Sequence, residues 1–295
     1  MQLTRTIRTL SVTLYNQIKV MDRKNFIRKS ILGAATVITG GSGAENIFKD
    51  INSSKKIMKN SVLHKADTRG VADLGWLNSR HTFSFSHYYN AERMNFGALR
   101  VLNDDIVAPG MGFGKHPHSN MEIISIPLEG DLQHQDNIGN KTTIEKGDIQ
   151  VMSAGTGVEH SEYNFNKDKQ VKFLQIWVVP NKQNTKPRYD QITLNDEDRK
   201  NKLQQILSPN PDDDGVWIQQ DAWFHLAKLD KDIVVPYNLK KAGNGLYAFL
   251  LNGDVNINGQ ELNLRDGFGI WDFDKLDIKA ISGAEILLME VPMKF

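Results

Sequence analysis

The 295-residue sequence contains no cysteine. That absence excludes disulfides, thiol nucleophiles, thiolate zinc sites and iron–sulfur clusters, so a bound metal must be held by imidazole and carboxylate. No apolar run reaches the length needed for a membrane-spanning helix. Helical periodicity is sparse, and there are only 9 prolines. The body of the chain also lacks a basic stripe: residues 45–295 hold 29 Lys and Arg against 34 Asp and Glu, a net charge of −5. A mildly acidic body argues against nucleic acid as the main ligand. What is present, 40% hydrophobic and 24% charged residues, is the composition of a globular chain with one or two cores.

Positive charge collects at the start, where residues 1–44 carry seven Lys and Arg and a single acid, Asp22. Residues 21–44 run from a basic stretch through the apolar Ile31–Ile38 to the small residues Ser42-Gly43-Ala44, the order of an export signal. Within it, Arg23-Lys24-Asn25-Phe26-Ile27-Arg28 resembles a twin-arginine signal with Lys24 where the second arginine is expected. The expectation is export to the periplasm, with a cytoplasmic location as the alternative and Met21 as an alternative start. A polar, Lys-rich stretch then serves as a tether, so residues 1–60 are set apart as signal and linker.

From Val62 onward, short apolar or alternating runs are punctuated by Gly, Asn and Asp, which is strand and turn patterning. Strands are predicted over Phe96–Leu102, Met121–Leu128, Ile149–Met152 and Phe173–Val179. Turns are predicted at Ile138-Gly139-Asn140, Lys146-Gly147-Asp148, Asn258-Gly259 and Asp266-Gly267. Only Asn195–Ile206, acidic early and basic later, carries a helical pattern. One unit occurs twice. Leu128-Glu129-Gly130-Asp131-Leu132 followed by Lys146-Gly147-Asp148 returns as Leu251-Asn252-Gly253-Asp254-Val255 followed by Asp266-Gly267-Phe268. Two related β-barrels or sandwiches in tandem account for the echo. The expected division is a first barrel over 61–180, a connecting segment over 181–208 and a second barrel over 209–295. Trp217, Trp223 and Trp271 are expected to be buried core aromatics of the second barrel.

Four of the eight histidines lie between His116 and His160, inside the first copy. His116-Pro117-His118 places two imidazoles at i and i+2, the same face of a strand. His160-Ser161-Glu162 repeats that spacing with an imidazole and a carboxylate. Two such pairs on neighbouring strands converge on one point, and three imidazoles with one carboxylate suit Fe(II), Mn, Ni, Cu or Zn. His134 and His87 are expected to line a pocket or to sit in hydrogen-bond networks. Asp212-Asp213-Asp214-Gly215 looks like a calcium loop, but Trp223 stands where its last ligand belongs, so it is expected to be a solvated turn.

These residues carry a resemblance. Gly110, His116-Pro117-His118, Glu122 and Gly130, then Gly147-Asp148-Ile149-Gln150 and Ser153-Ala154-Gly155-Thr156-Gly157-Val158-Glu159-His160-Ser161-Glu162, resemble the two cupin motifs in their pirin form. Gly75-Trp76-Leu77 and His81-Thr82-Phe83-Ser84-Phe85 resemble the opening of pirin-like bicupins, and the likeness runs from about Val62 to the C-terminus. The subgroup it is most similar to is the bacterial pirin-like proteins described as quercetin 2,3-dioxygenases. The resemblance implies an all-β bicupin of two tandem jelly-roll barrels. It also implies one metal ion, usually iron as Fe(II), held by His116, His118, His160 and Glu162. Glu122, the carboxylate ligand of many other cupins, is left behind the ligands. The second copy offers no His-x-Glu, so its barrel is expected to be a metal-free packing partner.

The activity implied is dioxygenation of a flavonol or related phenolic by O2, with Glu162 as the base that takes the substrate's hydroxyl proton. The alternative is a non-enzymatic pirin that binds partners according to its metal or redox state. Fold alone does not choose between them.

Overall fold

The structure is a computed structural model that describes residues 60–295, so the export signal expected over 21–44 lies outside the described residues. Among the described residues no helix is long and apolar enough to cross a membrane. They fold into two barrels built alike. In the first, a seven-stranded sheet runs in the spatial order Arg188–Thr193, Asp148–Ser153, Glu122–Glu129, Val171–Val178, Leu99–Val107, Leu77–His81 and Gly70–Asp73. Its partner is a four-stranded sheet ordered Gly112–His118, Val158–Asn164, Leu132–Asp136 and Lys141–Ile144.

The second barrel repeats the plan. Its larger sheet is ordered Ser61–His64, Gly267–Trp271, Asn244–Asn252, Ala284–Pro292, Trp223–Leu229, Gln204–Ser208 and Val216–Trp217. Its smaller sheet is ordered Val234–Asn238, Lys275–Ala280, Val255–Ile257 and Gln260–Leu262. The sequence echo falls on equivalent turns: Gly130 and Gly253 both follow the long central strand, with φ of 75° and 74°. A Cβ at Gly253 would run into the Gly283 carbonyl, so only glycine fits.

Side-chain alternation explains how the barrels join. Along Glu122–Glu129, Ile124 and Ile126 point one way into an apolar cluster shared with Phe224, Phe249, Leu287 and Met289 of the second barrel. Ile123 and Ser125 point the other way, into the first barrel. The two large sheets thus pack on each other through a common core, and the chain stitches them further. Ser61–His64 pairs with Gly267–Trp271 of the second barrel before the first barrel begins. At the far end, the Pro292 carbonyl accepts the Ala98 amide of the first barrel.

Several local expectations differ from the structure. The helix predicted over Asn195–Ile206 is only a 3-10 turn, Asp196–Arg199, capped by Asn195, whose side chain accepts the Glu197 amide. Beyond it Gln204–Ser208 pairs with Trp223–Leu229, and Ile206 and Leu207 are fully buried in the shared core, so packing overrides a weak helical preference. The expected connecting stretch 181–208 therefore supplies strands to both large sheets. Trp217, Trp223 and Trp271 are half-buried rather than core residues. Trp217 carries the Arg188 guanidinium 4.3 Å above its ring. The strand predicted from Phe96 begins at Leu99, because Gly97 at φ 50° turns the chain against Pro292. Near Asp266-Gly267 the left-handed residue is Arg265, and Gly267 instead leaves room for Tyr247.

Candidate metal centre

The four-stranded sheet of the first barrel places the expected ligands by register. His160 stands opposite His116 on one neighbouring strand and opposite Asp136 on the other. Glu162, two residues along on the same face, stands opposite His134. The rings of His116, His118 and His160 meet with centroids 4.4–4.9 Å apart. Ligand atoms of His116, His118 and His160 lie within 4.8 Å of one another, as do those of His134, His160 and Glu162. His160 and Glu162 are buried, whereas His116 and His118 are partly open.

The donors are prepared for a cation. Burial, reinforced by His160 and His116, pushes His118 down to about 4; burial, reinforced by His116 and His134, pushes His160 to about 3. Both are neutral at pH 7, the form that binds metals. His116 Nδ1 donates to the Gly114 carbonyl at 2.7 Å, which leaves its Nε2 bare. His160 Nε2 is buried with no hydrogen-bond partner, a costly state that a cation would relieve. The opposite sheet clamps the carboxylate: Ser125 Oγ donates to Glu162 Oε1 at 3.0 Å and Gln175 Nε2 to Oε2 at 2.6 Å. Three imidazoles and one carboxylate with these vacant lone pairs fit a divalent metal.

Around the cluster the interior is polar and aromatic. His81, Asn103, Gln175, Ser125 and Gln150 are successive cross-strand neighbours in one row of the large sheet. His81 Nδ1, Asn103 Oδ1, both amide atoms of Gln150 and the indole nitrogen of Trp177 are buried without partners. Trp177 packs edge-on against His118 at 4.9 Å and Phe85 against Trp177 at 5.3 Å. Asp105, in the same interior, is pushed up to about 7 by burial, against the pull of its Ser79 hydrogen bond and helped by Asp104 and Glu162. A surface cleft of about 310 Å³ opens beside His118, Asn137 and Glu159.

The placement of Glu122 differs from the expectation that it stands behind the ligands. It shares the face of Ile124 and Ile126, away from Ser125, and accepts Ser153 Oγ at 2.8 Å and the Gln219 amide at 3.1 Å. It ties the first barrel to the approach of the second. His87 is exposed, whereas His134 is wholly buried beside the cluster. Gln175, Ser125 and Asp136 belong to no motif in the sequence. Their signal was a polar residue facing inward from an apolar strand, or the i, i+2 pair His134 and Asp136. In the second barrel the corresponding strands pair Val235 with Ile278 and Tyr237 with Leu276, and this interior is a packed apolar core.

Known proteins match this chain over both barrels. Residues 63–178 match the Pirin family model, and residues 205–291 match the model of the quercetinase C-terminal cupin domain. A quercetin 2,3-dioxygenase of Escherichia coli K12 is 41% identical over 230 residues, covering 78% of this chain and 98% of that protein. A pirin-like protein of Caulobacter vibrioides is 42% identical over 225 residues, covering 76% and 96%. Among solved structures, the bacterial pirin YhhW from Escherichia coli in complex with nickel(II) superposes with a TM-score of 0.75 at 40% identity, covering 79% of this chain and 99% of that one. Identity of about 41% along nearly the whole length of these relatives, with the Pirin model matched over residues 63–178, makes this chain a member of the pirin family.

Proposed function

We propose that this chain is an oxidoreductase, a metal-dependent dioxygenase that acts on a flavonol or related phenolic with O2. The observation that carries the reading is the cluster of His116, His118, His160 and Glu162, with neutral imidazoles at His118 and His160 and a buried, unpartnered Nε2 on His160. These four residues are the proposed ligands. Fe(II) is the ion the sequence resemblance favours, and nickel(II) is the ion bound by the Escherichia coli relative. The donor set accepts either. A bound divalent ion supplies Lewis-acid activation of an enolate-type oxygen toward dioxygen.

The chain's own residues do the rest. Trp177 and Phe85 offer an aromatic wall beside His118 that suits a flat ring. The buried, unpartnered atoms of His81, Asn103, Gln150 and Trp177 keep the interior beside the cluster polar. Glu162, held by Ser125 and Gln175, keeps a second lone pair on each oxygen, and the base role assigned to it is to accept the substrate's hydroxyl proton there. The export signal over residues 21–44 belongs to the same proposal and is read by cell fractionation.

The test is oxygen-electrode assay of the metal-loaded protein with quercetin beside His116→Ala. Oxygen uptake that tracks metal content and is lost in the variant supports the reading. Full metal content with no uptake across a panel of phenolics overturns it.

A further inference from the structure

Beside the proposed ligands lies a buried chain of hydrogen bonds that ends on His160. Asp136 accepts four of them: Oδ1 from the amides of Ile138 at 3.0 Å and Asn140 at 2.9 Å, Oδ2 from Asn140 Nδ2 at 2.8 Å and from His134 Nε2 at 3.1 Å. A carboxylate saturated with donors acts only as an acceptor, so the proton between Asp136 and His134 sits on His134 Nε2. A second proton, on His134 Nδ1, would make His160 Nδ1 the acceptor and leave the proton of His160 on its buried, partnerless Nε2, so His134 Nδ1 is a bare lone pair. It faces His160 Nδ1 at 3.4 Å, a long contact between two fully enclosed rings. Two bare nitrogens there would repel, so His160 carries its proton on Nδ1 and donates it to His134. His160 Nε2 is left without a proton, and it is the very atom found buried and unpartnered.

His134 is itself fixed. Tyr189 lies against its ring at 4.8 Å, with the Tyr189 hydroxyl 2.6 Å from Thr142 Oγ1. Register supports the same reading, since Asp136 stands directly opposite His160 and His134 opposite Glu162. The alternative, His134 as a ligand alongside His160 and Glu162, is open on distance alone. It conflicts with the bonding: a metal on His134 Nδ1 would meet the protonated nitrogen of His160.

We infer that His134 and Asp136 are positioning residues of the metal centre: the Asp136–His134 pair sets the tautomer of His160 and so presents Nε2 of His160 for a divalent metal. The inference rests on His160 as a ligand and does not depend on the dioxygenase reading. Partners of this kind, one step behind the ligands, typically account for about 10–100-fold in metal affinity.

The test uses the full chain, labelled with ¹⁵N-histidine, first without metal and then with zinc(II). In the metal-free protein NMR should show the proton of His160 on Nδ1 and that of His134 on Nε2; zinc should perturb His160 Nε2 and leave the His134 tautomer unchanged. Asp136→Asn, which can donate to His134 Nε2, should reverse both tautomers. It should also lower zinc affinity about 10–100-fold. Should that variant fail to fold, two substitutions at 134 carry the test. His134→Gln keeps an oxygen that accepts from His160 and should retain affinity within a few-fold, while His134→Leu should lose about 10–100-fold. A proton on Nε2 of His160 in the metal-free protein, zinc bound at His134, or equal affinities for the Gln and Leu variants would overturn the inference. None of these outcomes depends on oxygen uptake, so the inference and the proposed activity fail separately.

Discussion

Gln175 and Glu162 reach each other across the first barrel, the Gln175 side-chain amide donating to Glu162 Oε2 at 2.6 Å. The two residues belong to different sheets, so this bond fixes the carboxylate from the wall opposite its own strand. Ser125 does the same for the other oxygen and stands directly opposite Gln175 in the large sheet. A metal centre assembled this way depends on the spacing of the two sheets as much as on the ligands.

Gln175→Met tests that dependence. It keeps the length of the side chain and removes the donor, leaving Glu162 Oε2 without its buried partner. The expected outcome is a loss of about 1–3 kcal/mol of stability. Metal affinity should fall about 10-fold or more, read by chemical denaturation and metal titration. Unchanged affinity would show that Glu162 needs no clamp.

Glu162→Gln separates holding from chemistry. The amide retains an oxygen able to coordinate but is a poor proton acceptor, so the variant should keep part of its metal and lose turnover by about 100-fold or more. Elemental analysis beside initial rates checks it. Equal turnover at full metal content removes the base role.

His64 and Tyr247 predict an acid-sensitive joint between the N-terminal strand and the second barrel. The Tyr247 hydroxyl lies 2.8 Å from His64 Nδ1, and burial, helped by Arg93, pushes His64 down to about 4. Burial raises the Tyr247 hydroxyl far above its ordinary range, so it is the donor. A histidine whose pKa is depressed in the folded state adds stability that is complete above its unfolded pKa of about 6.5 and is lost as pH falls toward 4. Between pH 7 and pH 5 this one group should cost about 2 kcal/mol of stability. His225, pushed to about 3 by burial and Lys240, acts in the same direction. Thermal melts of His64→Asn should show a correspondingly flatter loss between those pH values, and parallel curves would contradict the assignment.

Gly130→Ala and Gly253→Ala test the equivalence of the two barrels. Both glycines have left-handed φ, and both would drive a Cβ against backbone, near the Gln170 carbonyl and the Gly283 carbonyl respectively. Each substitution should cost about 1–3 kcal/mol, measured as a fall in denaturation midpoint. A neutral result at either position would mean its turn can rearrange.

Much of this was legible in residue spacing. His116 and His118 share a face because strands alternate, and the Gly130 and Gly253 turns betray the repeat by composition alone. The side of Glu122 was harder to see, because it depends on which face of its strand the second barrel covers, and no single strand records that. Ser125 sits between Ile124 and Ile126, and Gln175 between Leu174 and Ile176, so each looks like an interruption of an apolar run until the opposite sheet is in place. The segment Asn195–Ile206 misleads for a related reason: its charges favour a helix, while the burial of Ile206 and Leu207 between the barrels requires a strand.

The central claim is that one metal ion sits among His116, His118, His160 and Glu162. Anomalous diffraction at the nickel edge, from crystals of the full chain grown with nickel(II), tests it most directly. The account predicts a single strong peak within bonding distance of a nitrogen of each of the three histidines and of a Glu162 oxygen. A peak bonded to His134 instead, or none inside the first barrel, would contradict it.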